Sequence, residues 1–297
     1  MNRSVFFEKT LWMPGWGEIS LSSLVLALIS GLMLIPFYIS GDDPFRSVSQ
    51  FISAGYMGAF LHGFHSYAGD IFLISTVIHI IEYLLKKTYQ SYTMKSWGLL
   101  IILFVISILT VFSGFLSIGS KESFSAVHIF DGILQTLPAL GNTLSNFLLQ
   151  SERSTTPLAV IYTHHAATFS ILSVILTYIH IHRLKSERYA FAYTIILISL
   201  FAILFPAKLG FRPDAVIEVV KGPWYFIGLQ ELLAWLPVSI AGVVFPSLIL
   251  IAFFLLPVVK KFEKSVLYFI LLMIIIYMIE SIIGTYFRGD GWQFLNR

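Results

Sequence analysis

The 297 residues are 57% hydrophobic and 12% charged, with a formal net charge of +3 and no cysteine; the mean hydropathy is +0.83. A water-soluble domain carries roughly a quarter of charged residues, so this composition points to an integral membrane protein. The missing thiols exclude disulfides, thiolate metal sites, cysteine-ligated iron–sulfur clusters and haem tethered through a thioether, and nothing in the charge calls for nucleic acid.

In chain order, the first twenty residues place Trp12, Pro14, Trp16 and Glu18 ahead of the first apolar run. They lack the basic end and short apolar core of a cleavable signal peptide. Seven apolar segments follow, near 20–40, 61–85, 96–118, 158–182, 190–207, 239–259 and 265–287. Each is long enough to cross a bilayer at about 20 residues per span. Between the third and fourth, residues 121–156 mix polar and apolar residues at helical spacing, which predicts short helices on the membrane surface. Residues 208–238, rich in Pro, Gly and Trp, read in the same way. The expected fold is an all-α integral membrane protein of about seven transmembrane helices, with surface helices on one side.

Basic residues mark the sides. Lys86, Lys87 and Lys95, then Arg183, Lys185 and Arg188, then Lys260, Lys261 and Lys264 occupy one set of connectors. Asp42, Asp43, Glu122, Asp131, Glu152, Asp214 and Glu218 crowd the other. The two sets alternate as seven spans require, so the N-terminus and the basic loops are expected on the cytoplasmic side. The surface helices then face the positive side of an energised membrane.

His65 and His79 bound the stretch HSYAGDIFLISTVIH, 14 residues apart. On a helix this is about 21 Å of rise and roughly 40° short of whole turns. The fourth apolar segment carries His164, His165, His180 and His182. His165 and His180 are 15 apart, about 22 Å and within roughly 60° of one face. His164 with His180 points to nearly opposite faces, and His164 with His182 overshoots the rise set by the first pair. Two helices bearing His65/His79 and His165/His180 clamp two stacked groups, each taking one imidazole from each helix. That is the arrangement of two non-covalent bis-histidine haems.

With these residues in view, the chain resembles cytochrome b of the cytochrome bc complexes over nearly its whole length. PFRSVSQFISAGYMGAFLHGFH resembles the stretch into the second helix, SFSAVHIFDGILQTLPALG the surface helices, and GPWYFIGLQELLAWLP the quinol-site motif. The resemblance implies a haem-bearing half over 1–189 and a smaller half over 190–297, fused here without the usual eighth helix. It implies that His65 and His165 hold the positive-side b haem, and His79 and His180 the cytoplasmic-side one. Glycines that let the haems approach are implied at Gly31, Gly114 and Gly17, while the fourth position is Leu100, with Gly98 nearby.

Several positions depart from the family. His62 replaces an arginine facing a haem propionate, and Val160 replaces another arginine. The usual Pro-Glu-Trp-Tyr reads Gly222-Pro223-Trp224-Tyr225, which keeps Trp224 and Tyr225 and loses the glutamate that takes a quinol proton. Glu231 and Glu218 are both open as replacements. Lys185 stands where the split form has a basic residue near bound quinone. Asp70 and Glu280, carboxylates on spans, have no assigned role and are functional candidates on that ground.

The resemblance further implies quinol oxidation at the positive side, electron transfer through the haems to a quinone at the other side, and proton translocation. The implied partners are a Rieske-type iron–sulfur protein, a c-type cytochrome, membrane lipid and a second copy of the complex, in a prokaryotic inner membrane. Two other readings stand beside it. One is a quinone-linked haem conduit to another redox module, favoured by the missing glutamate. The other is a haem-free transporter or assembly subunit whose histidines line a polar path.

Overall fold

The structure, a computed structural model, describes residues 14–41, 43–150, 157–182, 187–217 and 219–295. Lys185, Arg183, Glu218, Asp42, Glu152 and Trp12 lie outside these ranges. The described residues form helices with no named β-strand among them; a single bridge joins Arg288 to Phe294.

Helix α1 (Trp16–Leu34) and helix α3 (Tyr56–Leu85) run against each other, separated in sequence by the short helix α2 (Pro44–Ser53). Proline at N1 and the Asp43 carboxylate, which accepts from Arg46 N–H at 2.9 Å, start α2. Gly55, at φ 150°, makes the corner into α3, a backbone state that a side chain disfavours. Helix α1 carries three buried serines, Ser22, Ser23 and Ser30. Their hydroxyls donate to the carbonyls of Glu18, Ile19 and Leu26 one turn back. The small, internally satisfied serines let α3 pack closely without stranding a polar group in the apolar interior.

Helix α4 (Met94–Ser117) starts at Thr93, whose hydroxyl accepts from Ser96 N–H. Helices α5 (Lys121–Gln135) and α6 (Gly141–Leu149) pack on each other beside it. The fourth apolar segment is α7 (Pro157–Thr163) and α8 (Ser170–Ile181), joined by a π-helical turn at His164–Phe169. Helix α9 (Arg188–Leu204) returns to α1 and α3. Among the described residues of the 208–238 region, only α10 (Ile227–Trp235) forms a helix. It packs against α12 (Glu263–Tyr286), which α11 (Phe245–Leu255) also touches.

Five of these units are long and apolar enough to span a membrane: Trp16–Phe37, Tyr56–Leu85, Met94–Ser117, Leu158–Ile181 and Lys260–Tyr286. The fifth and sixth expected spans are shorter apolar helices, Arg188–Leu204 and Ile240–Leu255. Pro246 accounts for part of the second. Its ring conflicts with the carbonyl four residues back and it brings no N–H, and a π turn at Ile240–Val244 takes up the mismatch. Large apolar side chains such as Leu32, Ile196, Leu271 and Leu272 face outward, as lipid-facing surface requires.

Two groups of helices result. In one, α1, α3 and α9 close on Leu26, Phe64, Ala68, Ile198 and Ala202. In the other, α4 packs with α7, the π turn and α8. Each pair has a hydroxyl bond across it: Ser20 to Thr76 at 2.7 Å between α1 and α3, and Thr110 to Ser173 at 3.0 Å between α4 and α8.

Candidate functional site

The seam between the two groups holds the histidines. His65 Nδ1 lies 3.1 Å from the Ala27 carbonyl and 3.1 Å from Ser30 Oγ. His165 Nδ1 lies 2.9 Å from the Thr110 carbonyl. A carbonyl only accepts, so in both rings Nδ1 carries the proton and Nε2 keeps its lone pair. Each ring is thereby held in the tautomer that binds a metal through Nε2, by a partner on the neighbouring helix.

The two rings face each other with centroids 6.1 Å apart and planes 81° apart. Two metal–imidazole bonds of about 2 Å, laid end to end with the two half-rings, span about 6 Å. The spacing suits one metal between them and is too long for a hydrogen bond.

Glycines clear the backs of these rings. A Cβ on Gly31 would sit 3.0 Å from His65 Cε1, one on Gly114 2.8 Å from His165 Cε1, and one on Gly17 2.9 Å from His79 Cε1. All three glycines singled out in the sequence therefore meet a histidine ring. The fourth position differs: Leu100 packs with the cluster of Tyr89, Trp97, Ala252 and Leu256, and Gly98 faces Phe254.

The π turn explains the unequal spacings. A π turn takes in one extra residue without advancing the face of the helix beyond it. The 15 residues from His165 to His180 thus present the register of the 14 from His65 to His79. Ser170 Oγ donates to the His165 carbonyl at 2.5 Å, one residue beyond the turn. The adjacent His164 is engaged elsewhere: its Nε2 donates to the Phe147 carbonyl at 2.8 Å and its Nδ1 is 3.2 Å from Thr168 Oγ1.

At the other end, His79 packs on Tyr83 with centroids 4.3 Å apart. His180 stands half-buried in the last turn of α8. Nδ1 of His79, and that of the buried His62, have no hydrogen-bond partner. Among the described residues no cluster of three or more His, Asp or Glu could hold a bare ion. A metal with two protein imidazoles must bring its remaining ligands with it, as haem iron does. Donor chemistry, ring spacing, fixed tautomers and glycine clearance all fit a haem between His65 and His165. At the second pair the clearance at Gly17 fits one as well, without the Nδ1 anchor that His65 and His165 have.

Above His65 on α3, the segment before α10 comes down onto the helix. Trp224 Nε1 donates to Asp70 Oδ1 at 2.9 Å. The neighbouring Tyr225 packs against the cluster of Phe112, Leu134 and Ile161, and its hydroxyl is buried without a partner. Burial, and then the charge of Asp70, push the Tyr225 hydroxyl well above the usual tyrosine range. Its carbonyl accepts from Tyr277 OH at 2.5 Å, which pins this segment to α12.

Glu231 is fully buried and occupied by donors. Arg288 Nε lies 3.0 and 2.9 Å from its two oxygens, Arg288 Nη2 2.5 Å from Oε1, and the indole N–H groups of Trp235 and Trp292 each lie 2.8 Å away. Burial alone would raise its pKa, but the hydrogen bonds from Arg288 and the two indoles outweigh it and hold the carboxyl below the usual range. Glu280 lies within electrostatic reach of this pair. A cavity of about 550 Å³ opens beside it, lined by His128, Ile129, Gly132, Gln230, Val238 and Trp292. Neither Asp70 nor Trp224 lines that cavity.

Sequence reasoning missed Arg288, the two carbonyl acceptors and the Asp70–Trp224 bond. A lone arginine just past the last apolar run was the one available signal for the first. The acceptors are backbone atoms and leave no residue signature. Asp70 and Trp224 stand 154 positions apart.

Comparison with known proteins agrees with the geometry. The family model described as cytochrome b/b6/petB matches residues 8–188. Cytochrome b of Eptatretus burgeri is 25% identical over 294 residues, covering 87% of this chain and 76% of that protein. Cytochrome b of Acanthamoeba castellanii is 22% identical over 287 residues, covering 84% and 74%. Among solved structures, a hyperthermophilic respiratory Complex III superposes with a TM-score of 0.69 at 17% identity, over 93% of this chain and 84% of that one.

Proposed function

The chain belongs to the cytochrome b/b6 family, and from that premise we propose that it is the di-haem cytochrome b subunit of a quinol-oxidising bc-type complex. The observation that carries this reading is the facing pair His65–His165, with both Nδ1 atoms fixed on backbone carbonyls. In it, His65 and His165 hold the positive-side b haem and His79 and His180 the cytoplasmic-side one. Such haems supply one-electron transfer across the membrane. The protein's share is to hold His65 and His165 in one tautomer, to keep Gly17, Gly31 and Gly114 free of side chains, and to exclude water from the seam. His62 serves as a donor to a propionate.

Quinol is oxidised near Trp224 and Tyr225, and quinone is reduced on the opposite side near Lys185. The saturated shell around Glu231 fits an anchor for α10 rather than a proton carrier. Seven crossings are proposed, with α9 and α11 as the short ones. The 1–189 half holds the haems and the 190–297 half carries the quinol-site segment. The basic connectors face a prokaryotic cytoplasm, together with the N-terminus. The electron acceptors are a Rieske-type iron–sulfur protein and a c-type cytochrome, in a complex expected to be dimeric.

The test is a reduced-minus-oxidised spectrum with redox titration of the wild type and of His79→Ala and His165→Ala. Two b-type components are expected, each variant losing a different one. A spectrum without b-type absorbance would sink the proposal.

A further inference from the structure

Asp70 is a carboxylate in the middle of the apolar helix α3, five residues beyond His65. Intramembrane carboxylates are costly and are usually neutralised by a cation or put to use. Among the described residues, the one donor to Asp70 is Trp224 Nε1, an indole that offers no charge and no exchangeable proton pathway. Glu231, by contrast, has an arginine and two indoles on its two oxygens. Asp70 therefore keeps acceptor capacity that its surroundings do not fill.

Against the ring of its Trp224 donor, at 5.3 Å between centroids, lies a second unfilled group. The buried Tyr225 hydroxyl has no partner and feels the charge of Asp70. Tyr67, one turn back on α3, spends its hydroxyl on the Phe205 carbonyl at 2.7 Å. A phenol that can donate and a carboxylate that can accept thus lie within electrostatic reach. Trp224, 46% exposed, gives an apolar ring face beside them. This set matches a flat apolar molecule bearing an acidic hydroxyl. It is also short of one hydrogen-bonding partner on each group, which such a molecule would supply.

We infer that Asp70 is the group that accepts a proton from the quinol hydroxyl, with Tyr225 orienting the quinol and Trp224 holding the carboxylate in place. This rests on the quinol-oxidising reading above. In the step, the quinol O–H bond breaks, the proton passes to an Asp70 oxygen, and the electron pair stays on the quinol oxygen. The resulting anion is easier to oxidise. A positioned acceptor must lie within hydrogen-bond reach or one water of the proton, and α3 brings Asp70 to the same segment as Trp224. The carboxylate comes from a helix five residues from a haem ligand, and not from the segment 222–225, where glycine and proline precede Trp224.

The experiment uses membranes holding the assembled complex, driven by a short-chain benzoquinol and a short-chain naphthoquinol. The variants are Asp70→Asn, Asp70→Glu and Trp224→Phe. The readouts are the rate of quinol-driven b-haem reduction, the dithionite-reducible haem content, and the carboxyl stretch in the quinol-minus-quinone infrared difference spectrum. Asp70→Asn retains an oxygen for Trp224 but is a poor base. It should keep its haem, lose roughly 10²–10⁴-fold in rate, and lose a carboxyl band. Asp70→Glu should restore much of the rate with a shifted band, and Trp224→Phe should lose far less.

Wild-type rate in Asp70→Asn, or equal losses in Asp70→Asn and Trp224→Phe, would overturn the inference and leave Asp70 an anchor for Trp224. If Asp70→Asn fails to retain haem, the band decides. A carboxyl band that does not move in Asp70→Glu overturns the inference, and one that moves supports it. Failure of the wild type itself to reduce haem with either quinol would instead refute the proposed function, which keeps the two failures apart.

Discussion

The buried Arg288–Glu231 pair sets the strongest expectation for a single residue. Arg288→Met leaves a fully buried carboxylate with two indole donors and no counter-charge. Breaking such a pair from one side costs about 3–5 kcal/mol, whereas replacing both partners with apolar residues of similar volume is often near neutral. Thermal unfolding in detergent should therefore show Arg288→Met far less stable than the double variant Arg288→Met/Glu231→Leu. Gly114→Ala makes a second test. Its added carbon would meet the His165 ring at 2.8 Å, so one b-type component should weaken or vanish while the other persists. At this scale the sequence was informative where chemistry and spacing coincide. Histidines on two apolar segments stand out because an imidazole in lipid needs a reason, and the structure brings His65 and His165 face to face. The sequence was silent on Trp224 and Asp70, because their meeting depends on how a 31-residue connector, 208–238, folds back onto α3.

Among the elements, the π turn at His164–Phe169 makes a prediction that hydropathy cannot. If the turn carries the one surplus residue, deleting Ala167 should convert it to ordinary α-helix and leave His165 and His180 in register. Deleting Ile175, in regular helix, should swing His180 by about 100° relative to His165. The spectra of the two deletions should differ accordingly, with both b-type components in the first and one lost in the second. Loss in both would mean that the turn places His165 itself. Long apolar runs fixed where the helices lie, since length and hydropathy are what a bilayer selects. They could not reveal the turn, because an inserted residue changes neither. The shortness of α11 is legible in retrospect from Pro246, whose missing N–H ends a regular ladder from either side.

For the whole molecule, two of the basic connectors, after α3 and before α12, meet. Glu263 at the start of α12 pairs with Lys87 at 2.7 Å and accepts from Tyr89 at 2.7 Å and Gln90 at 2.9 Å, tying the end of α3 to the last helix. Burial, and then the bond to Glu263, push the Tyr89 hydroxyl up to about 12. A carboxylate that gains a lysine and two hydrogen-bond donors only on folding adds stability that is lost once acid protonates it. Melting of the wild type against Glu263→Gln should show a gap near neutral pH that closes in acid. A gap that widens in acid would contradict the assignment.

The two helix groups, α1–α3–α9 and α4–α7–α8, each carry their own hydroxyl bond, and the facing histidines belong one to each. Under the proposed ligand set, the prosthetic group is thus a rivet between two prefabricated panels rather than cargo in a finished pocket. Ligand that binds only the joined form stabilises the joint by mass action. Cells starved of haem should accumulate a chain whose panels are formed but unfastened, cleaved by protease in the connector between α3 and α4 well before either panel is digested.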